Sequence, residues 1–254
     1  MSLNNLKLQS RLGLGFGIVL ALLVVIGVFS YTRLSAVEGS VELVVKDRFV
    51  KVAQANDAID QINLIARALR NMLLITEPAK IEAEDQRILE ARAKTKENWD
   101  KLEASIKSEE GKRLMKAIFD TRATYIVTQD QVRRMTKEGK RAEATALLLG
   151  TYREQQTAYM NNVVKLIEFQ TELANKDGEG AIASIRSVEN ITLWLSIVAV
   201  VLGLGSAWVI TRSIVGPVNA ANEIATRVAR GDINVTFPEA TQDEVGKLLA
   251  AMKG

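Results

Sequence analysis

The chain has 254 residues, 33 basic and 30 acidic side chains, and a formal net charge of +3. It contains no cysteine and no histidine, which excludes disulfides, thiolate sites, histidine-based catalysis and histidine-ligated metals. The charge is too small and too scattered for nucleic-acid binding. We therefore expect no enzyme active site, metal, cofactor or nucleic-acid partner.

Two uncharged apolar runs, residues 12–31 and 190–211, bracket a long polar stretch. Each run has about 20 residues, which is enough for a helix to cross a hydrocarbon core about 30 Å thick. The first run is longer than the apolar part of a signal peptide, and Phe29-Ser30-Tyr31 is a poor cleavage site. The sequence therefore predicts two transmembrane helices.

Basic residues flank both predicted spans on their terminal sides. These residues are Lys7, Arg11, Arg212, Arg227 and Arg230. Because basic flanks stay on the cytoplasmic side, residues 1–11 and 212–254 are predicted to be cytoplasmic. Residues 32–189 then form one domain on the opposite face of the membrane.

Residues 32–189 show helical periodicity and no alternation typical of strands. The first helix carries apolar residues at alternating steps of three and four, which form a seam: Val52, Ala55, Ile59, Ile62, Ala66, Leu69 and Leu73. A second copy could pack along this regular seam, so we expect a homodimer or higher oligomer.

Helix start and stop signals divide this stretch into four long helices. The first ends near Thr76, before Pro78, and the second ends near Ser108–Gly111. The third runs from about Lys112 to Lys137 and stops at Gly139. A short helical piece from Ala142 to Leu149 ends at Gly150, and the fourth helix, with Gly178 and Gly180 as weak points, continues into the second span. The fold class is therefore all-α: two transmembrane helices flank an up-down-up-down four-helix bundle.

The predicted core of the bundle is polar at several positions. Thr121 and Tyr125 of the third helix and Tyr159 of the fourth lie in core register, with Arg122 beside them. Near the far end of the first helix, the seam is flanked by Arg67, Arg70 and Asn71. Because a half-buried guanidinium beside hydroxyl groups can hold a carboxylate in a bidentate manner, we expect these residues to bind a small organic acid. The alternative is structural: arginine beside a seam often extends to solvent or pairs with a surface acid.

The segment after the second span resembles a HAMP linker. The matching positions are Pro217 after the membrane exit, Gly231-Asp232 at the end of a first amphipathic helix, and Asp243-Glu244-x-Gly246 at the start of a second. The resemblance implies that Pro217, Gly231, Asp232, Asp243, Glu244 and Gly246 take part in signal transmission through a parallel coiled coil.

The whole chain resembles the sensory half of a methyl-accepting chemotaxis protein of the four-helix-bundle type. Besides the HAMP motif, the resemblance rests on the opening Met-Ser-Leu-Asn-Asn-Leu-Lys-Leu, on Arg70-Asn71-x-Leu73-Leu74 and on Gly139-Lys-Arg-Ala-Glu-Ala. It implies a bacterial inner-membrane receptor with a periplasmic sensor, whose full-length form contacts a coupling protein and a histidine kinase. Since the second HAMP helix is incomplete at Gly254, we expect a C-terminally truncated chain.

Two alternatives stay open. The same bundle and linker also precede membrane histidine kinases and diguanylate cyclases. A bundle of this kind can also sense a periplasmic binding protein or the state of the membrane, without a small ligand of its own.

Overall fold

A computed structural model describes residues 7–231 and 244–253. The described residues form helices and connecting turns and contain no strand, in agreement with the all-α prediction. The chain divides into two units. One is Glu38–Ile182, which contains the bundle, and the other is Met1–Val37 together with Ala183–Gly254, which contains both apolar runs.

Seven α-helices and two π-helical turns account for nearly all of the described residues. In chain order they are α1 (Leu8–Leu43), a first π-helical turn (Val44–Arg48), α2 (Phe49–Leu74), α3 (Pro78–Ser105), α4 (Glu109–Lys137), α5 (Arg141–Leu147), a second π-helical turn (Leu148–Tyr152), α6 (Arg153–Ala229) and α7 (Glu244–Lys253). The four-helix bundle consists of α2, α3, α4 and the first part of α6. Short connections join its first three helices, as the sequence predicts.

Local sequence explains where the bundle helices begin. Pro78 opens α3, at a position where a helix loses nothing from the missing N–H group. Ser108 caps α4, because its hydroxyl accepts a hydrogen bond of 3.2 Å from the N–H of Gly111. Since the acidic residues that follow Ser108 also suit a helix N-terminus, α4 starts at Glu109 rather than at the predicted Lys112.

Gly139 ends α4 in a left-handed conformation with φ of +78°. The N–H of Gly139 donates to the carbonyl of Thr136 (3.2 Å), and the N–H of Lys140 donates to the carbonyl of Met135 (2.9 Å). These two bonds form a Schellman motif, which pairs the last carbonyls of the helix. The predicted stop at Gly139 is confirmed.

The buried face of α2 differs in part from the predicted seam. Ala55, Ile62 and Leu69 are almost fully buried, as predicted. Val52, Ile59 and Leu73 are only half-buried. The most buried positions at steps of three and four are Ala55, Ala58, Ile62, Ile65, Leu69 and Met72. Because α2 packs against both α3 and α4, its core face is centred between two seams. Four of the seven predicted positions, Ala66 included, are buried, and each of the other three lies one residue from a buried position.

Helical geometry breaks at Gly150, where the sequence predicts the end of the short helical piece before the fourth helix. α5 ends at Leu147, and Gly150 leaves helical geometry (φ −95°, ψ −108°) inside the second π-helical turn. α6 follows directly and runs without interruption from Arg153 to Ala229. Gly178 and Gly180, the predicted weak points, lie inside this helix and do not interrupt it.

In the second unit, α1 and α6 each contain an apolar stretch that is long enough to cross a membrane. Their polar side chains meet where the hydroxyls of Ser30 and Thr192 lie 3.4 Å apart. Packing elsewhere is close, since a Cβ atom added to Gly15 would lie 2.7 Å from Cδ1 of Ile210. The length and composition of both stretches agree with the predicted transmembrane helices.

Candidate functional site

The middle of α4 presents polar side chains to the bundle core. Tyr125, Thr128 and Gln129 are buried, and Arg122 is half-buried. Arg122, Tyr125 and Gln129 follow one another at steps of three and four, so an α-helix places them on one face. This polar face lies among the aromatic side chains of α3 and α6.

A buried aromatic cluster joins four segments of the bundle. The indole N–H of Trp99 on α3 donates to the phenol oxygen of Tyr159 on α6 (2.7 Å). The phenols of Tyr125 on α4 and Tyr152 in the second π-helical turn share a hydrogen bond of 2.9 Å. The rings of Tyr125 and Tyr159 pack with their centroids 5.3 Å apart. These contacts fix where each hydroxyl group points.

Burial keeps these phenols neutral. It raises the pKa of Tyr152 and of Tyr159 to about 12. For Tyr159, the hydrogen bond from Trp99 and the charge of Arg122 act in the opposite direction but do not outweigh burial. Burial, followed by the nearby Tyr152, raises the pKa of Tyr125 well above its ordinary value. At neutral pH all three phenols are therefore uncharged, and those of Tyr125 and Tyr159 line the same cavity as Arg122.

Arg122 differs from the other half-buried arginines of α3 and α4. Arg92 pairs with Asp130 (2.7 Å) and Arg133 pairs with Asp85 (2.5 Å). In the described part of the chain, no carboxylate lies within ion-pair distance of Arg122. Its charge faces the neutral phenol of Tyr159 instead. A half-buried guanidinium without an anion is a candidate for binding one.

Gln129 is fully buried, and its side-chain amide is unsatisfied. Within residues 7–231 and 244–253, neither Nε2 nor Oε1 of Gln129 has a hydrogen-bond partner. Leaving a buried polar group unpaired costs about 1–3 kcal/mol, so native proteins rarely do it without a reason. The amide offers both donors and an acceptor to whatever occupies the space beside it.

A small cavity lies between α2, α3, α4 and α6 at this point. It is lined by Ile62, Ile65, Arg92, Thr95, Arg122, Tyr125, Ile126, Gln129 and Tyr159. Its volume of about 10 Å³ suits a single water molecule. An organic acid could therefore enter only if the helices moved apart.

A surface groove of about 590 Å³ lies between α3 and α4 and also includes Arg92. Its floor is an ion-pair network. Arg133 bonds Asp85 through Nε (2.5 Å) and Nη2 (2.9 Å), and through Nη1 it bonds Asp130 (2.8 Å). Lys137 also bonds Asp85 (2.7 Å), whose side chain is only 3% exposed. Arg92 is the residue that the groove and the internal cavity share.

The network holds its aspartates ionised. Burial alone would raise the pKa of Asp85, but the hydrogen bonds and charges of Arg133 and Lys137 bring it below its ordinary value. Burial likewise opposes ionisation of Asp130, and the bonds from Arg92 and Arg133 outweigh it, so that its pKa is also lowered. Both aspartates of the groove are therefore negatively charged at neutral pH.

The structure brings together only part of the predicted ligand site. Arg122, Tyr125 and Tyr159 line one cavity, whereas the Thr121 hydroxyl bonds the carbonyl of Ala117 (2.8 Å) in its own helix.

The predicted group on α2 lies elsewhere. Asn71 donates to Glu84 on α3 (3.1 Å). Arg67 and Arg70 are exposed, and the charge of Arg70 acts on Tyr152. None of these three residues lines the cavity.

Sequence reasoning missed Gln129, Arg92 and Thr95. Gln129 follows Tyr125 by four residues, so helical spacing alone could have included it. Thr128, its neighbour, is buried as well. No sequence pattern predicts that Arg92 and Thr95 of α3 line the cavity. Which residues of two packed helices lie at the same height depends on their axial register, and the periodicity of either helix does not determine that register.

Among the residues predicted to transmit a signal, Pro217 lies inside α6. Gly231 has φ of +86°, and its N–H donates to the carbonyl of Val228 (2.9 Å), so the predicted helix stop there is confirmed. Glu244 opens α7, and its carboxylate accepts a hydrogen bond of 2.8 Å from the N–H of Leu8. Gly246 lies in the first turn of α7. Asp232 and Asp243 lie outside the described residues.

Comparisons with known proteins agree with this architecture. A family described as a four helix bundle sensory module for signal transduction matches residues 5–185, and the HAMP domain matches residues 209–254. The methyl-accepting chemotaxis protein McpQ of Pseudomonas putida is 29% identical over 118 residues, which are 46% of this chain and 17% of that protein. A putative sensory transducer protein of Acetivibrio thermocellus is 28% identical over 141 residues, which are 55% of this chain and 24% of that protein. The chain thus aligns with less than a quarter of the length of these relatives, and no solved structure matches it significantly.

Proposed function

Because the chain belongs to the family of four-helix-bundle sensory modules for signal transduction and carries a HAMP domain, we propose that it is the sensory half of a chemotaxis receptor. In this proposal, the bundle binds a small organic acid and α6 passes the event to the HAMP domain. The names of the two relatives support a role in chemotaxis or a related sensory pathway.

One observation carries the choice of ligand. Arg122 lacks a carboxylate partner, and the amide of Gln129, which lines the same cavity, is unsatisfied. A carboxylate would accept hydrogen bonds from both groups and would neutralise the guanidinium. The neutral phenols of Tyr125 and Tyr159 add polar contacts without adding negative charge.

The small volume of the cavity supports a coupling between binding and movement. Since about 10 Å³ is too little for any organic acid, the ligand must bind a form of the bundle in which the helices are further apart. A ligand that prefers one form shifts the population toward it. α6 supplies Tyr159 to the cavity and is continuous to Ala229, so a shift of α6 at Tyr159 is carried along the helix. Couplings of this kind are typically about 1–3 kcal/mol.

The proposed setting is the inner membrane of a bacterium. The two apolar stretches and their basic flanks support a periplasmic bundle with cytoplasmic termini. The stripe Ala221, Ile224 and Val228 suits a parallel coil formed by two subunits, which supports a homodimer. A longer form of the protein would signal through a coupling protein and a histidine kinase.

The test measures thermal unfolding of the detergent-solubilised chain against a panel of small carboxylates, amino acids and aromatic acids. A ligand that binds only the folded bundle raises the midpoint by mass action. We expect a rise with at least one carboxylate, its loss in Arg122→Gln, and its retention in Arg113→Gln, which changes an exposed arginine paired with Glu110.

Each other outcome has a distinct meaning. A rise that survives Arg122→Gln would keep a ligand-binding sensor but move its site toward Arg67 and Arg70. No rise with any compound would overturn direct sensing and favour a binding protein or the membrane as the stimulus.

A further inference from the structure

Arg92 stands between two spaces. It lines the internal cavity together with Arg122, and it also lines the surface groove between α3 and α4. Its guanidinium is bound by the carboxylate of Asp130 through two hydrogen bonds (2.7 and 3.2 Å). Two guanidinium groups therefore border the cavity, and only Arg92 has an anion.

Asp130 also forms an ion pair with a second cation, Arg133. Its carboxylate also bonds Nη1 of Arg133 at 2.8 Å, and its side chain is 47% exposed. If Arg92 turned away from Asp130, the aspartate would still be paired and partly hydrated. A ligand carboxylate can therefore replace Asp130 on Arg92 without leaving a buried charge unpaired, which is the costly outcome in such exchanges.

We propose that the ligand of this site is a short dicarboxylate, with one carboxylate on Arg122 and the other on Arg92. This inference rests on the function proposed above. A monocarboxylate would use Arg122 alone and would leave the Arg92–Asp130 pair closed. A dicarboxylate satisfies both guanidiniums and breaks the Arg92–Asp130 contact between α3 and α4.

The groove supplies a route to the cavity. Four of its seven lining side chains are cationic and three are anionic, so it attracts a dianion more strongly than a monoanion. Arg92 lies at the boundary between the groove and the cavity. When the ligand carboxylate replaces Asp130 on Arg92, the way from the groove into the cavity opens. Arg92 is thus a specificity-determining residue that recognises the second carboxylate.

The test compares acids with equal carbon counts. Binding of succinate and butyrate, and of malonate and propionate, is measured by calorimetry on the full chain in lipid nanodiscs. We expect each dicarboxylate to bind about tenfold tighter than its monocarboxylate partner, as a further charge-assisted pair allows. Arg92→Gln should remove this preference. Arg113→Gln is the matched control, since Arg113 is exposed, pairs with Glu110 and lines neither the groove nor the cavity.

A second variant, Asp130→Asn, distinguishes an effect on binding from a folding defect. Without its competitor, Arg92 should bind the second carboxylate several-fold more tightly, while butyrate binding stays the same; a damaged fold cannot produce this gain. Equal binding of mono- and dicarboxylates that is lost in Arg122→Gln would overturn the dicarboxylate assignment and leave the proposed function intact. Binding of none of the four acids would overturn the assignment, and the wider carboxylate panel would then decide the proposed function separately.

Discussion

The indole N–H of Trp99 donates to the phenol oxygen of Tyr159 across 2.7 Å, and this bond ties α3 to α6 inside the bundle. Both side chains are 1% exposed, so water cannot replace the bond. Tyr159 also lines the cavity beside Arg122. The helix that leads to the HAMP domain therefore contributes an oriented hydroxyl group to the candidate site.

Tyr159→Phe is expected to destabilise the bundle by about 1–2 kcal/mol, because it leaves the buried N–H of Trp99 without an acceptor. Equilibrium urea unfolding of the detergent-solubilised chain measures this change. Tyr31→Phe removes a hydroxyl from a side chain that is 77% exposed and serves as the matched control. Equal stability of Tyr159→Phe and the parent would show that the bond contributes nothing.

Acid is expected to weaken the contact between α3 and α4. The folded-state pKa values of Asp85 and Asp130 lie below the ordinary value of 3.8. Their stabilising effect is therefore complete above about pH 4 and is lost as the pH falls through the lowered values. Urea unfolding at a series of pH values between 7 and 2 should show this loss.

The variant Asp85→Asn isolates this effect. At neutral pH it should cost about 2 kcal/mol, since Arg133 loses its buried partner while Lys137 is partly solvated. It should also flatten the decline of stability in acid. Asp100→Asn, on an exposed pair with Lys96, should retain the full decline. An unchanged acid profile in Asp85→Asn would contradict the assignment.

Gln129→Leu is expected to separate stability from binding. Replacing an unsatisfied buried amide by an apolar side chain of similar volume should raise the free energy of unfolding by about 1 kcal/mol. The same change should abolish the thermal shift caused by a bound carboxylate. Gln86→Leu changes an exposed glutamine on α3 and should alter neither quantity. Destabilisation by Gln129→Leu would mean that the amide is satisfied in solution.

Two glycines are expected to respond to alanine with opposite signs. Gly139 has φ of +78°, where a Cβ atom is strained, so Gly139→Ala should cost about 1 kcal/mol. Gly178 lies inside α6 with open space around it, so Gly178→Ala should stabilise the chain by about 0.5–1 kcal/mol. Urea unfolding of both variants measures the difference. A loss of stability in Gly178→Ala would indicate that the glycine has a packing role.

The sequence predicted correctly those features that depend on one helix alone. The stop of α4 at Gly139 and the polar core positions Tyr125 and Tyr159 depend on local conformation and helical spacing, and they could be predicted. The placement of Arg92 could not, because it depends on the axial register of α3 against α4. Gln129 was missed for a related reason: packing on several sides buries Thr128 as well, so periodicity cannot select between the two.

The titrating groups around the cavity have a consequence for what the bundle can report. Burial raises the pKa of Tyr159 to about 12 and that of Tyr125 well above its ordinary value, while ion pairs hold the pKa of Asp130 below its own. The sequence has no histidine to change charge between them. The site therefore keeps one charge state across the whole neutral range. Under the function proposed above, such a sensor measures ligand concentration independently of the acidity of its surroundings, and any neutral-range pH dependence of binding originates in the ligand.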